Sequence, residues 1–379
     1  MTLALLILSV FWLAYSNGAN DNFKGVATLY GSGTLPFRSA LSWATAATLA
    51  GSVLSIALAG SLARSFSGKG LVPSELLQGS SLLIAVASAG AITIWLATVL
   101  GMPTSTTHAL TGALAGVAIV ATPGRSGFAR LVSEFLVPLL VSPLLAIIGA
   151  SILYVLFHRL RVAYGITRET CVCVGRCAPV PVQLSRDGAA LMAVPLDGGP
   201  SFMIGSEQDC VERYDGRVAG IGAHAIVAGV HTLSGLAVCF ARAVNDTPKI
   251  AALLMAAGSA GVMGANGNLG LVAAAMALGG ILSARRVAET MSKRMTDLNP
   301  GQGLTSSLVT ASLVLIASRF GVPVSTTHVS CGSIFGIGVV SGTARWRTIG
   351  QILLTWVTTL PMGALLGAGT YWTLGRLQG

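Results

Sequence analysis

The sequence predicts an all-α polytopic membrane protein made of two inverted repeats, with a small β-rich soluble insert between them. Three observations lead to this fold class. Hydrophobic residues make up 53% of the 379 residues and charged residues only 9%, whereas soluble domains carry about 25% charged residues. Apolar stretches long enough to enter a bilayer follow one another along the chain. Finally, two short polar motifs each occur twice, in the same order.

The apolar stretches form two sets of five. They cover 1–33, 39–63, 76–100, 103–121 and 131–157, and then 218–258, 265–288, 302–320, 323–340 and 348–375. The 1–33 and 218–258 stretches are long and interrupted by polar residues, which predicts broken helices. The 103–121 and 323–340 stretches are short and begin with proline, which predicts half-helices or re-entrant hairpins. We interpret the first stretch as a membrane helix rather than a removed signal peptide, because it lacks a basic start.

The motif repeat is the strongest sign of internal duplication. "GMPTSTTHALTG" begins at Gly101 and "GVPVSTTHVSCG" at Gly321, and six of their first eight positions match. "NDNFK" begins at Asn20 and "NDTPK" at Asn245. A duplicated membrane unit is typical of a transporter whose site lies near mid-membrane between the halves. If each half crosses the membrane an odd number of times, the two halves are inverted.

We therefore divide the chain into membrane repeat 1 (1–157), an insert (158–217) and membrane repeat 2 (218–379). The insert is polar and punctuated by glycine and proline, and its runs "PVPVQL" and "ALMAVPL" predict strands. Its first part is basic, and the positive-inside rule places it in the cytoplasm. The 47 glycines fit helices that pack closely in lipid.

Four of the six cysteines lie in the insert. They offer an optional site for zinc or an iron–sulfur cluster, although their spacing is not a standard zinc pattern, and reduced structural thiols are the simpler interpretation. These residues are Cys171, Cys173, Cys177 and Cys210. Cys239 and Cys331 lie in apolar stretches and are expected to be packing residues. We expect no cofactor.

The net charge of +10 suggests nucleic acid binding only in a soluble protein. Here most lysines and arginines lie between apolar stretches, where they anchor loops on one side of the membrane. We therefore expect a multi-pass protein of the cell membrane with the lipid bilayer as its surroundings and no nucleic acid partner. A homodimer is compatible with the sequence.

The two "STTH" segments predict an anion site. Serine and threonine favour helix N-caps, and proline suits a first helical turn. A helix N-terminus offers unpaired N–H groups and the positive end of the helix dipole, to which the hydroxyls add donors. Two such ends facing each other would surround one tetrahedral oxyanion without fixed charge. The candidate anion-binding residues are Ser105, Thr106, Thr107, Ser325, Thr326 and Thr327.

The histidines that follow these segments, His108 and His328, are interpreted as neighbouring donors or titrating groups. The acid–base pairs, Asp21 with Lys24 and Asp246 with Lys249, have the same spacing of three, which places each pair on one helical face. Ionisable residues inside membrane segments are costly and usually functional.

At these motifs the sequence resembles the inorganic phosphate transporter (PiT) family. The matching segments are "GAND" at Gly18–Asp21, "VND" at Val244–Asp246 and the two "P-x-STTH" segments, so the resemblance covers both halves but not the insert. It implies inverted repeats, phosphate bound between the two STT segments, and ion coupling through the "ND" segments. The coupling residues would be Asn20, Asp21, Asn245 and Asp246.

One departure from the family matters. Its members usually read "NDVAN", whereas Lys24 and Lys249 occupy the position of that last asparagine in this sequence. This change removes an oxygen ligand and introduces an ammonium, which can take the place of a sodium ion beside Asp21 or Asp246. We therefore expect weakened or absent sodium coupling, with proton coupling or co-transport of a neutral metal phosphate instead. Alternatively, the lysines contact the anion and shift selectivity towards sulfate.

Three function classes compete. A secondary transporter for inorganic phosphate leads, and a sulfate permease is the alternative within transport. A membrane-embedded hydrolase would use Ser105 or Thr107 with His108 as base, but two near-identical sites and the lack of a third orienting residue argue against an enzyme. A channel or sensor is disfavoured because broken helices favour alternating access.

Overall fold

A computed structural model of the chain describes residues 2–66, 79–123, 128–167, 170–175, 201–206, 219–257 and 260–378. The chain forms two units, one of residues 1–154 with 231–379 and one of residues 155–230. All the repeated motif residues belong to the first unit, which is built from helices. The second unit contains a small sheet.

The described residues of the first half begin with five helices. They are α1 (Thr2–Asp21), α2 (Ala27–Gly31), α3 (Phe37–Ser65), α4 (Ser80–Val99) and α5 (Thr106–Ala121). A short helix follows and continues through one π-helical turn into a long helix. These are α6 (Phe128–Leu131), the turn Val132–Leu136 and α7 (Val137–Ala163).

The described residues of the second half form six helices. Its helices are α8 (Ala223–Ala256), α9 (Ala260–Ser283), α10 (Arg285–Glu289), α11 (Pro300–Arg319), α12 (Thr326–Ser341) and α13 (Trp346–Gln378). A π-helical turn, Thr290–Arg294, follows α10. The long helix α11 follows this turn, as α7 follows the π-helical turn of the first half.

In the described residues, seven helices are long and apolar enough to cross a membrane. They are Thr2–Asp21, Ser80–Val99, Val132–Ala163, His224–Ala256, Asn266–Ser283, Pro300–Arg319 and Trp346–Leu377. Large apolar side chains such as Leu140, Leu144 and Ile148 on α7 are exposed, as expected for a helix that faces lipid. The prediction of a multi-pass membrane protein is therefore confirmed.

The predicted helix breaks differ between the halves. α1 ends at Asp21, and the chain turns through residues 22–26 before α2 begins, so the predicted break is present there. In the second half α8 is one continuous helix through the equivalent motif, with Pro248 inside it, and the predicted break is wrong. Proline in a helix removes only a single backbone hydrogen bond, so α8 can continue through Pro248.

The two helices that start at the "STTH" segments are short. α5 and α12 have 16 residues each, fewer than the roughly 20 that span a bilayer. Their length agrees with half-helices. The re-entrant hairpins and the inverted orientation of the repeats stay predictions.

Glycines allow α1 and α9 to cross closely beside the motif. A Cβ at Gly18 would lie 1.9 Å from the carbonyl oxygen of Met276, and one at Gly279 would lie 1.9 Å from that of Tyr15. Only a residue without a side chain permits this backbone approach. The crossing fixes the end of α1, and hence Asp21, against the second half of the chain.

The second unit contains a three-stranded antiparallel sheet in the order β2–β1–β3. Its strands are β1 (Thr170–Gly175), β2 (Ser201–Ser206) and β3 (Ala219–Gly222). Cys171 of β1 pairs with Gly205 on one side and Gly222 on the other. The predicted strands "PVPVQL" and "ALMAVPL" lie outside the described residues, so the β-rich insert and its boundaries stay predictions.

Candidate functional site

The starts of α5 and α12 are built in the same way. Ser105 caps α5 by accepting a hydrogen bond from the backbone N–H of His108 at 3.1 Å, and Ser325 caps α12 by accepting one from His328 at 3.2 Å. The prolines do not lie in the first turn, as the sequence suggested, but two residues ahead of each cap. The serine side chains supply the cap bond, so each helix begins after its serine.

The threonines after each cap occupy the first two helical positions. Their backbone N–H groups have no partner within the helix, and the positive end of the helix dipole adds to them. All six serines and threonines of the two segments are buried. Two helix starts with these properties can hold an oxyanion.

Lys24 connects the two halves of the chain. Its ammonium donates to the carboxylate of Asp21, to the hydroxyl of Thr327 and, at 2.9 Å, to the carbonyl oxygen of Thr104. Lys24 is buried. It therefore lies among a carboxylate, a carbonyl and a hydroxyl, and the hydroxyl comes from the other half.

Lys249 has the matching surroundings. Its ammonium lies 3.6 Å from the carboxylate of Asp246 and donates to the hydroxyl of Thr107 at 2.9 Å and to the carbonyl oxygen of Val324 at 3.0 Å. Lys249 is buried as well. Each lysine thus meets the threonine of the opposite half, which the sequence did not predict.

The motif asparagines bind the loops that precede the short helices. Asn20 accepts from the backbone N–H of Thr104 at 3.0 Å and donates to the carbonyl oxygen of Met102 at 3.1 Å. Asn245 donates to the carbonyl oxygen of Val324 at 3.2 Å. The asparagines therefore fix the position of each STT segment relative to its acid–base pair.

The rings of the two histidines contact each other at a tilt of 42°. The ring centroids of His108 and His328 are 4.4 Å apart, and the ring of His328 stacks on Trp356 at 3.8 Å. Nδ1 of His108 lies 3.0 Å from the hydroxyl oxygen of Ser105. The histidines thus support the caps of α5 and α12, and their role in transport stays a prediction.

Two residues of this cluster were missed by the sequence analysis. Asn17 donates to Thr106 at 2.8 Å and approaches both motif carboxylates, and Arg242 donates to Asn17 at 3.1 Å. A signal was present, because each residue precedes a motif aspartate by four positions and so shares its helical face.

The optional metal site in the insert stays a prediction. No group of three or more histidine, cysteine or acidic side chains that could hold a metal occurs in the part of the chain that the structure describes. Cys171 is buried in β1, while Cys177 and Cys210 lie outside the described residues. Cys239 and Cys331 are buried among apolar side chains, as expected for packing residues.

Comparison with known proteins identifies the family. Residues 17–367 match the model of the "Phosphate transporter family". The chain belongs to the phosphate transporter family. The match begins at Asn17 and includes both acid–base pairs and both STT segments. It also spans the insert, for which no resemblance was noted from the sequence.

Several relatives of this family member cover nearly all of its chain. It is 27% identical to the "Probable low-affinity inorganic phosphate transporter" of Mycobacterium leprae, over 100% of this chain and 79% of the relative. It is 25% identical to "Inorganic phosphate transporter 2-1, chloroplastic" of Arabidopsis thaliana, over 98% of this chain and 72% of that protein. The family and these relatives are transporters, so the hydrolase alternative is excluded.

A solved structure shares the fold. "The sodium-dependent phosphate transporter" superimposes with a TM-score of 0.75 at 20% sequence identity, covering 99% of each chain. The helical arrangement of this family member is therefore that of a known transporter.

Proposed function

We propose that this protein transports inorganic phosphate across the membrane, with the anion held between the starts of α5 and α12. We further propose that Lys24 and Lys249 take the place of coupling sodium ions, so that transport is independent of sodium and proton-coupled. Membership of the phosphate transporter family supports the substrate. The surroundings of the two lysines support the second part.

The anion site is proposed from the donors at the two helix starts. The N–H groups of Thr106 and Thr107 in one half, and of Thr326 and Thr327 in the other, are unpaired within their helices. The hydroxyls of Thr107 and Thr327 each contact a lysine ammonium, so positive charge lies beside both helix starts. Hydrogen bonds between ammonium groups and phosphate oxygens are strong because the donor is charged.

The substitution of sodium by lysine rests on one observation. Each ammonium is surrounded by a carboxylate, a backbone carbonyl and a hydroxyl oxygen. Sodium sites in transporters use such oxygens from irregular backbone and acidic side chains. A protein-bound ammonium at the same place satisfies the oxygens permanently, so no sodium ion is needed to neutralise Asp21 or Asp246.

Phosphate is preferred to sulfate in this proposal because of the carboxylates. Phosphate carries a proton at neutral pH and can donate it in a hydrogen bond, whereas sulfate cannot. Asp21 lies 3.4 Å from the hydroxyl of Thr106 at the start of α5, where it can accept such a bond. Uptake of labelled phosphate into proteoliposomes should therefore resist an excess of sulfate, and strong competition by sulfate would favour the permease alternative.

Restoring asparagine tests the role of the lysines. In the double variant Lys24→Asn/Lys249→Asn, phosphate uptake should become stimulated by an inward sodium gradient, because two oxygen ligands replace two ammonium groups. Lys293→Asn, at an exposed position, is the control and should behave like the wild type. A double variant that transports phosphate with no response to sodium would show that the lysines do not substitute for the ion.

A further inference from the structure

Arg242 is a buried charge that neither repeated motif includes. It lies in α8 and has 0% exposure, and it is the largest fully buried side chain in the part of the chain that the structure describes. A charged group in the interior of a membrane protein is costly to bury and is usually compensated by an opposite charge. The partner of Arg242 is therefore informative.

The guanidinium is bound only by neutral groups. It donates to the amide oxygen of Asn17 at 3.1 Å and to the hydroxyl of Thr48 at 3.2 Å. Its Nε has no hydrogen-bond partner within the described residues. No ion pair joins Arg242 to a carboxylate in the described ranges, whereas Asp21 and Asp246 are each paired with their own lysine.

Asn17 connects Arg242 to the centre of the site. Because its amide oxygen accepts from the guanidinium, its NH2 group faces the motifs. That group lies 3.3 Å from Asp21, 3.3 Å from Asp246 and 2.8 Å from the hydroxyl of Thr106. Arg242 is thus separated from both ion pairs and from the start of α5 by a single side chain.

Arg242 has no charged counterpart at the equivalent position of the other half. Asn17 and Arg242 are 225 positions apart, the same offset that separates Asn20 from Asn245, so they are equivalent positions of the two halves. The other charges of the cluster match in pairs. They are Asp21 with Asp246 and Lys24 with Lys249. Two carboxylates and two ammonium groups cancel, and Arg242 leaves one positive charge uncompensated.

We propose that Arg242 supplies the fixed positive charge that balances the bound oxyanion. This inference rests on the proposed anion site at the starts of α5 and α12. The charge is buried in advance of binding, and an anion bound beside Asn17 balances it electrostatically across that one side chain. A positive charge can balance a bound anion only if no carboxylate neutralises it beforehand. The unpaired Nε and the lack of a carboxylate partner in the described residues meet this requirement.

The experiment measures phosphate affinity of the purified full-length protein with labelled inorganic phosphate. Arg242→Gln should weaken binding about tenfold or more, since a charged donor contributes more than a neutral one. Arg242→Lys keeps the charge but loses the forked donor geometry, and its affinity should lie well above that of Arg242→Gln. Arg347→Gln removes an exposed arginine and serves as the control, with unchanged affinity.

A swap of the equivalent residues separates charge from local packing. In Asn17→Arg/Arg242→Asn the charge moves to the matching position of the other half, and phosphate affinity should recover to well above that of Arg242→Gln. If Arg242→Gln fails to fold, the phosphate affinities of the swap variant and of Arg242→Lys test the role of the charge. Loss of binding in both folded variants would overturn the proposal, because a charge-balancing role needs only the charge.

The possible results separate the role of Arg242 from the proposed phosphate site. Wild-type affinity in Arg242→Gln would overturn the role of Arg242 and leave the phosphate site standing. A wild-type protein that binds no phosphate would contradict the proposed function, and the inference about Arg242 would fall with it.

Discussion

At the residue scale, the buried Asp21–Lys24 ion pair determines how substitution of either partner changes stability. Lys24→Met leaves the Asp21 carboxylate buried without its partner, which should destabilise the folded state by about 3–5 kcal/mol. Asp21→Asn/Lys24→Met removes both charges and should recover much of that stability. Thermal unfolding in detergent measures both. A double variant that is less stable than Lys24→Met would contradict a simple charge-pair account.

Lys24→Ala tests the same pair through transport. It should strongly reduce phosphate uptake, because it both uncovers Asp21 and removes the contact of the ammonium with Thr327 in the other half. Lys293→Ala changes an exposed lysine and should transport normally. Normal uptake by Lys24→Ala would mean that the lysine is peripheral to the site.

The sequence could predict the pairs but not their cross-half contacts. A spacing of three residues places Asp21 and Lys24 on one face, which is a local property. The contact of Lys24 with Thr327 joins residues 303 positions apart, and no local pattern specifies it. Arg242 could not be predicted from the repeat, because Asn17 occupies its equivalent position in the other half.

At the element scale, helix capping can be separated from anion binding. Ser325→Ala should cost about 0.5–2 kcal/mol of stability and should also weaken phosphate uptake, since the start of α12 is part of the proposed site. Asn299→Ala is a matched control, because Asn299 caps α11 with a complete capping box and is exposed. Equal loss of uptake in the two variants would assign the effect of Ser325 to stability alone.

The close crossing of α1 and α9 gives a second prediction for an element. Gly18→Ala places a methyl group against the backbone of Met276, and overpacking of this kind costs about 1–3 kcal/mol. Gly369→Ala, where a Cβ meets no atom within 4 Å, should be neutral. Yield and thermal stability of the two purified variants provide the comparison. A fully stable Gly18→Ala protein would contradict the close approach.

Helix breaks were predicted correctly in only one half for a physical reason. Polar residues interrupt both stretches, but in the first half the chain also turns, through residues 22–26. In the second half Pro248 interrupts only its own hydrogen bond, and α8 continues. A sequence pattern marks where a break is tolerated, while the packing around it decides whether the break forms.

At the scale of the whole molecule, most of what the sequence could predict came from its internal duplication. Hydrophobicity predicted the membrane class, and the repeated motifs predicted that polar residues of both halves lie together, as Lys24 and Thr327 do. The arrangement of the insert could not be obtained in this way, because its short runs have no repeat to compare with. Its described strands lie at residues 170–175, 201–206 and 219–222, and the runs that suggested strands lie outside the described residues.

The proposal that Lys24 and Lys249 take the place of coupling sodium ions can be tested at the scale of the whole molecule. Phosphate uptake by the wild type in proteoliposomes, under separately imposed sodium and proton gradients, tests it most directly. The account predicts that phosphate accumulates without sodium when protons are driven inward. Accumulation that requires an inward sodium gradient and ignores the proton gradient would contradict it.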